Sequence, residues 1–359
     1  MTTENEILQT RIWLKGLFQD YYSRLNKLTV PEAVHQREFG FGSFAKKIAV
    51  RHRGFKDDKE LLAYVKREAP AHINHSTARY EFPAEEDMKD KNRLGTDLIF
   101  DIDIGDLNLK HNHEDGWVCG ECFAALKGEA QKLMTFMTDD FGFEAKELSV
   151  NFSGSRGYHV RIKRDDLLSL GEGSRKEICS YLSLDIDLEE LIYERDGMIF
   201  GPKPDQHGLR GRVAKTVIDS VSGIKGGAKI VEQIKNGNWG AFPKGYGLKR
   251  IMDYAKNAAV KIPVDSKVTT DLTHMIRMPD TLHGGSSLIA KTVTNLDGFD
   301  PMKECFVFGS ESVDVSFIKA TPKLIAKEQK FGPFKEGKSR LPIYLAAYLG
   351  AKERCVIVK

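Results

Sequence analysis

DLIFDIDI, residues 97–104, is an apolar, β-branched run interrupted by two acids. The run reads as a buried strand. Side chains alternate across a strand, so Asp101 and Asp103 share one face, ~6–7 Å apart at the backbone. Two anions so placed repel each other. A divalent cation removes that cost and is hard enough to prefer oxygen ligands. Phosphoryl-transfer enzymes use such a pair to hold two Mg²⁺ or Mn²⁺ ions about 4 Å apart. An isolated Asp-x-Asp also occurs in sugar-nucleotide transferases, in nucleases and at solvated strand ends.

Downstream, Leu148–Phe152 and Tyr158–Ile162 read as two strands joined by Ser153-Gly154-Ser155-Arg156-Gly157. Glycines at both ends of the turn allow close backbone approach to a ligand. With Ser153, Arg156 and His159 they suit a cradle for phosphate oxygens, the alternative being an ordinary hairpin with an exposed Arg. Between the strand at 97–104 and a helix at 124–141 lies His111-Asn-His113-x5-Cys119-x2-Cys122. Nitrogen and sulfur ligands at this spacing suit tetrahedral zinc, with Glu114 or Asp115 able to replace His111. A Cys-x-x-Cys at a helix start also fits a redox pair. A distal stretch, IPVDSKVTTDLTHMIRMPDTLHGG (262–285), carries Asp265, His274, Arg277 and His283, in a composition that surface residues also show.

Further elements follow from pattern. A helix spans 4–28, a strand 46–51, a helix started by Asp57 and Asp58 runs through Lys66, and a strand spans 77–82. Glycines 40 and 42 read as a break. After about residue 165 strand signals give way to short helical patterns separated by Gly and Pro. The expectation is an α/β (α+β) core at 1–164 and 259–359, with a knuckle at about 106–124 and a helical insertion at 165–258. Past it, 261–264, 287–293, 313–318 and 355–358 read as strands, 270–276 as a helical turn and 341–349 as a helix.

The chain has 359 residues, 54 Lys+Arg against 51 Asp+Glu, and 41% hydrophobic residues, enough for a buried core. The near-neutral total hides segregation. Residues 202–261 hold twelve basic against four acidic side chains, and 319–359 hold ten against three. Basic regions in a near-neutral chain suggest a polyanion partner or a pair of solvated faces. No apolar run approaches the ~20 residues that span a bilayer, and the N-terminus lacks a basic signal-peptide region. Five scattered cysteines do not make a disulfide scaffold, so a reduced, intracellular compartment is expected.

In order along the chain, REFGF (37–41), ARYEFP (78–83), DLIFDIDI (97–104), HNHEDGWVCGEC (111–122), FSGSRGYHV (152–160) and VDSKVTTDLTHMIRMPDTLHGG (264–285) resemble the small, catalytic subunit of the archaeo-eukaryotic DNA primases in its archaeal form. The resemblance implies a mixed-sheet catalytic core with flanking helices, a zinc knuckle and a variable helical subdomain. It implies that Asp101, Asp103 and Asp265 are the catalytic, metal-binding aspartates for Mg²⁺ or Mn²⁺. It assigns nucleotide binding to Arg79, Ser153, Arg156, His159, Arg277 and His283, and structural Zn²⁺ to His111, His113, Cys119 and Cys122. The implied activity is synthesis of short RNA or DNA primers de novo on single-stranded DNA, by two-metal nucleotidyl transfer from NTPs or dNTPs. The implied partner is a large subunit carrying an iron–sulfur cluster, in a heterodimer, in the cytoplasm at the nucleoid. The eukaryotic form has two adjacent arginines in the turn, where this chain has Ser155 before Arg156, and some relatives have Cys where His111 stands. A repair-type polymerase, a nuclease and a non-catalytic nucleic-acid-binding subunit are the competing readings.

Overall fold

The computed structural model describes residues 2–107, 109, 117–185, 187–223, 225–242, 247–258 and 261–358. Helix α1 (Thr2–Ser23) buries Leu14, Phe18 and Tyr22, one stripe at helical spacing. Strands β1 (Phe39–Gly42) and β2 (Val50–Arg53) follow, then helix α2 (Asp58–Glu68), β3 (His72–Ser76), β4 (Ala78–Tyr80) and β5 (Arg93–Thr96). The Asp57 carboxylate caps α2 by accepting from the Glu60 N–H at 2.9 Å. Glycines 40 and 42 do not break the chain. They lie inside β1, where Met275 packs so closely on Gly40 that a Cβ there would meet its Cε at 2.9 Å.

Strand β6 (Leu98–Asp103) leads into a 3₁₀ turn, Ile104–Asp106. Helix α3 (Gly120–Asp139), β7 (Leu148–Phe152) and β8 (Gly157–Ile162) come next. On one face of these strands, Leu98, Phe100, Ile102, Val150, Phe152, Tyr158 and Val160 are buried in the same core as Leu126, Leu133 and Met137 of α3. The other face carries Asp101, Asp103, Asn151 and His159, as strand alternation requires.

Residues beyond 165 are helical but not strand-free. Helix α4 (Glu172–Ser183) precedes a hairpin of β9 (Tyr193–Arg195) and β10 (Met198–Phe200), then α5 (Gly208–Val221), α6 (Gly227–Lys235) and α7 (Leu248–Ala258). A second apolar cluster, drawn from Leu184 to Ala255, forms here around Trp239, whose indole N–H donates to the Pro202 carbonyl at 3.0 Å.

Residues 261–264 form no strand. The Ile262 N–H donates to Leu182 at the end of α4 instead of to a sheet. The expected turn at 270–276 is displaced. Asp265 caps a short helix, α8 (Ser266–Thr270), and the chain then extends into β11 (Met275–Arg277). Next come β12 (Lys291–Val293), α9 (Pro301–Glu304), β13 (Ser312–Phe317), β14 (Leu324–Ala326), β15 (Gln329–Phe331), β16 (Gly337–Pro342), α10 (Ile343–Ala351) and β17 (Cys355–Ile357).

The strands do not form one mixed sheet. All described pairs are antiparallel, and the two largest sheets have four strands each, in the orders β11-β3-β1-β2 and β12-β7-β8-β6. Antiparallel pairing follows where tight returns join neighbours, as the 153–156 turn joins β7 to β8. Strands β11 and β12 belong to different sheets, so the 278–290 connection ties the two together. No helix among the described residues is long and apolar enough to cross a membrane.

Candidate active site

A cleft of about 210 Å³ lies between the two four-stranded sheets. One sheet lines it with Asp101, Asp103, Ser153, Arg156 and His159. The other, with its connections, contributes Asn74, Arg277, His283 and Lys47.

The carboxyl of Asp101 is pushed up to about 7, mainly by burial and then by the charges of Asp103 and Asp265. Asp265 reaches this position because its N–H donates to the Asp101 carbonyl at 2.9 Å. Asp103 accepts from the Gly105 N–H at 2.8 Å and from Arg156 Nε at 3.1 Å. That ion pair is partly exposed, at 50% for Arg156 and 28% for Asp103, so it is cheap to exchange for another partner. His159, opposite Asp101 in register, places Nε2 3.5 Å from its Oδ1. Burial, with Arg277 close by, pushes the His159 imidazole down to about 3, so it is neutral.

The turn before β8 is shaped for close approach. Gly154 has φ +81°, a left-handed conformation that favours glycine. A Cβ there would also stand 3.0 Å from Ala290 N and 3.1 Å from His283 Cβ. Ser153 closes the turn, its Oγ accepting from the Gly157 N–H at 3.0 Å. Ser286 Oγ donates to the Gly154 carbonyl, which fastens the 278–290 connection to the turn and brings His283 beside it.

Arg277 is the unusual cation. It is 8% exposed, and burial pushes its guanidinium down to about 10. Its described partners are the Ile73 carbonyl at 3.3 Å and His72 Nδ1 at 2.7 Å. Among the described residues no carboxylate pairs with it. A buried, un-neutralised guanidinium is a ready anion site.

Of the residues singled out in the sequence, Asp101, Asp103, Ser153, Arg156, His159, Arg277 and His283 line the cleft, and Asp265 adjoins it through its bond to the Asp101 carbonyl. Arg79 does not line the cleft. It joins Asp165 at 3.1 Å, Glu32 at 3.4 Å and Asp97 at 3.8 Å. His111 and His113 lie outside the described residues. Cys119 precedes α3, and its Sγ is 3.6 Å from that of Cys122 in the first turn. Lys47, His72 and Asn74 went unread. His72 and Asn74 sit at i and i+2, the same spacing that singled out the aspartates. Among the described residues no three His, Cys, Asp or Glu side chains stand close enough to hold a metal without movement. A larger cavity of about 830 Å³, lined by residues such as Val118, Phe123, Phe299 and Ile325, shares no lining residue with the cleft.

The chain is similar to known proteins over most of its length. A family model described as DNA primase small subunit matches residues 100–294, from β6 through β12. The DNA primase small subunit PriS of Methanothrix thermoacetophila is 32% identical, over 96% of this chain and 98% of its own length. That of Archaeoglobus fulgidus is 32% identical over 95% of this chain and 96% of its own. That of Haloarcula marismortui is 29% identical over 96% and 98%.

Proposed function

This chain belongs to the DNA primase small-subunit family, and from that premise we propose that it is the catalytic subunit that synthesises short RNA or DNA primers de novo on single-stranded DNA. The observation that carries the reading is the division of the cleft. Three acids stand on one side, Asp103 among them with a partly exposed and exchangeable Arg156 partner, and the un-neutralised Arg277 stands on the other. A metal-bound nucleoside triphosphate complements both halves.

The donor set fits the metals that the family implies. Asp101, Asp103 and Asp265 offer only carboxylate oxygens, which suit Mg²⁺ or Mn²⁺. The raised carboxyl of Asp101 reflects burial first and then repulsion from Asp103 and Asp265, which a divalent cation relieves. Bound there, such ions lower the pKa of a 3′-hydroxyl and neutralise charge on the triphosphate. Arg277, Arg156 and Ser153 then bind phosphate oxygens. His159, neutral beside Asp101, and His283, held neutral by burial, offer ring N–H groups to the same anion. The His283 Nδ1 accepts from the Gly285 N–H at 3.1 Å, which leaves Nε2 as its donor.

The knuckle reading rests on Cys119 and Cys122. Their sulfurs are about as far apart as two thiolates on one tetrahedral zinc, given Zn–S of about 2.3 Å. A structural Zn²⁺ held by these sulfurs with His111 and His113 is part of the proposal. So is a large-subunit partner, since the relatives are named as small subunits. An iron–sulfur cluster needs about four thiolates. Beyond the knuckle pair, Cys179, Cys305 and Cys355 are far apart in sequence, so the cluster is assigned to that partner. This reading puts the heterodimer at the nucleoid, in the cytoplasm.

The test is synthesis on single-stranded DNA with labelled NTPs or dNTPs and Mg²⁺ or Mn²⁺, with and without a supplied primer. Short products without a primer are expected. Extension only from a supplied primer would assign initiation to the complex. Strand cleavage in place of synthesis would favour the nuclease reading.

A further inference from the structure

Arg277 is held by a neutral group, where an ion pair would be the ordinary solution for a buried guanidinium. Its Nη2 lies 2.7 Å from His72 Nδ1, and both side chains are buried, at 8% and 4% exposed. A guanidinium has only donors, so the imidazole must accept through Nδ1 and carry its proton on Nε2. The ring is fixed from its other sides. The His283 ring stands edge-on to it, with centroids 4.9 Å apart and planes at 88°. Gly284 passes so close that a Cβ there would meet His72 Nε2 at 2.7 Å and Ala71 Cβ at 3.0 Å.

We propose that His72 is a positioning residue: as a neutral acceptor it aims Arg277 into the cleft without neutralising it, and so sets how tightly the cleft holds an anionic triphosphate. An Asp or Glu in its place would orient the guanidinium equally well but would consume the charge that the ligand needs. Burial and the cations Arg277 and Lys47 push the imidazole down to about 3, so it stays neutral at ordinary pH. The inference rests on the nucleotide-binding reading above and adds a residue to it.

Two nearly isosteric substitutions separate charge from shape. His72→Asn places an amide oxygen near the position of Nδ1, and His72→Asp places a carboxylate oxygen there. The probes are MgATP and inorganic tripolyphosphate, titrated calorimetrically into the full chain, with thermal melting as a check on folding. His72→Asn is expected to bind both within about threefold of wild type. His72→Asp is expected to bind both about tenfold or more weakly, the scale of one lost charge-assisted contact. In synthesis assays the loss should appear in KM more than in kcat. Equal binding by the two variants would overturn the proposal, as would a loss in His72→Asn as large as in His72→Asp. A readout on the wild type needs no substitution to fold: ¹⁵N-histidine spectra should show His72 as the neutral Nε2-protonated tautomer, and a protonated Nδ1 would overturn the proposal. A wild-type chain that binds neither probe would instead overturn the reading of the cleft itself.

Discussion

Asp101, which lines the cleft, carries a carboxyl pushed up to about 7 by burial and by the nearby charges of Asp103 and Asp265. Its raised value means that the folded state is penalised as pH rises through about 7, because the unfolded carboxyl ionises freely near its ordinary value. Asp101→Asn should therefore stabilise the metal-free chain at pH 8, by about 1–3 kcal/mol, while abolishing synthesis. Melting with and without Mg²⁺ checks both halves. Mg²⁺ should raise the melting temperature of wild type and leave the variant almost unmoved. Arg277 makes the complementary case. Replacing it by Met removes a buried cation that has no described carboxylate partner, so stability should hold within about 1 kcal/mol or rise. Nucleotide KM should rise by roughly 10–100-fold, the scale of a lost hydrogen bond to a charged group. At this scale the sequence was uneven. Asp101 and Asp103 were legible because strand alternation puts i and i+2 on one face. Asp265 was left open by its own surroundings, since its link to Asp101 is a backbone hydrogen bond across more than 160 residues. Arg79, assigned by resemblance, lies in an ion network outside the cleft lining.

Elements were legible where one face alone is buried. Strand β7 shows alternating burial and matched its expected range, and β8 began one residue early. Strands β1 and β3 were missed because both are buried along their whole length and carry Gly, His and Asn in place of an apolar period. What fixes them is an ion cluster that no local pattern announces. Asp97, 2% exposed at its side chain, pairs with Arg37 at 2.9 Å and Arg161 at 3.1 Å. Arg37 also donates to the Thr77 carbonyl at 2.7 Å, which links the start of β1 to the chain after β3. Removing one partner of a buried pair strands the others, so Asp97→Ala should cost about 3–5 kcal/mol. Urea unfolding would measure the loss, and a change under 1 kcal/mol would remove the cluster from this account. At the start of α3, one zinc per chain is expected by elemental analysis. It should be lost in Cys119→Ser or Cys122→Ser, and zinc retained by both variants would reject the knuckle.

At the scale of the molecule, the cleft exists because two sheets face each other through non-local pairing. Met275 pairs with Ser76 across about 200 residues, and Lys291 pairs with Phe152. Helical and strand periods describe neighbours in sequence and do not give sheet order; the resemblance implied a mixed sheet, where the chain builds antiparallel ones, two of them four-stranded. Facing sheets also trap histidines. His72, His75 and His159 are each pushed down to about 3 by burial. A depressed folded value means stability that is complete above the unfolded value, about 6.5, and is lost as pH falls toward 3. Each such histidine should cost about 2 kcal/mol of stability at pH 5 relative to pH 7. Denaturant titrations across that window should show a steep acid side, and a flat profile from pH 7 to 5 would contradict the buried, neutral cluster.

The central claim is that the acids of β6 and the cations of the facing sheet form one nucleotidyl-transfer site. The most direct measurement is incorporation of labelled nucleotide on single-stranded DNA by wild type and by Asp101→Ala, side by side, in Mg²⁺ or Mn²⁺ with a supplied primer. The account predicts template-directed products from wild type and none from the variant, with both chains folded. Products of equal yield from both, or none from wild type in either metal, would contradict it.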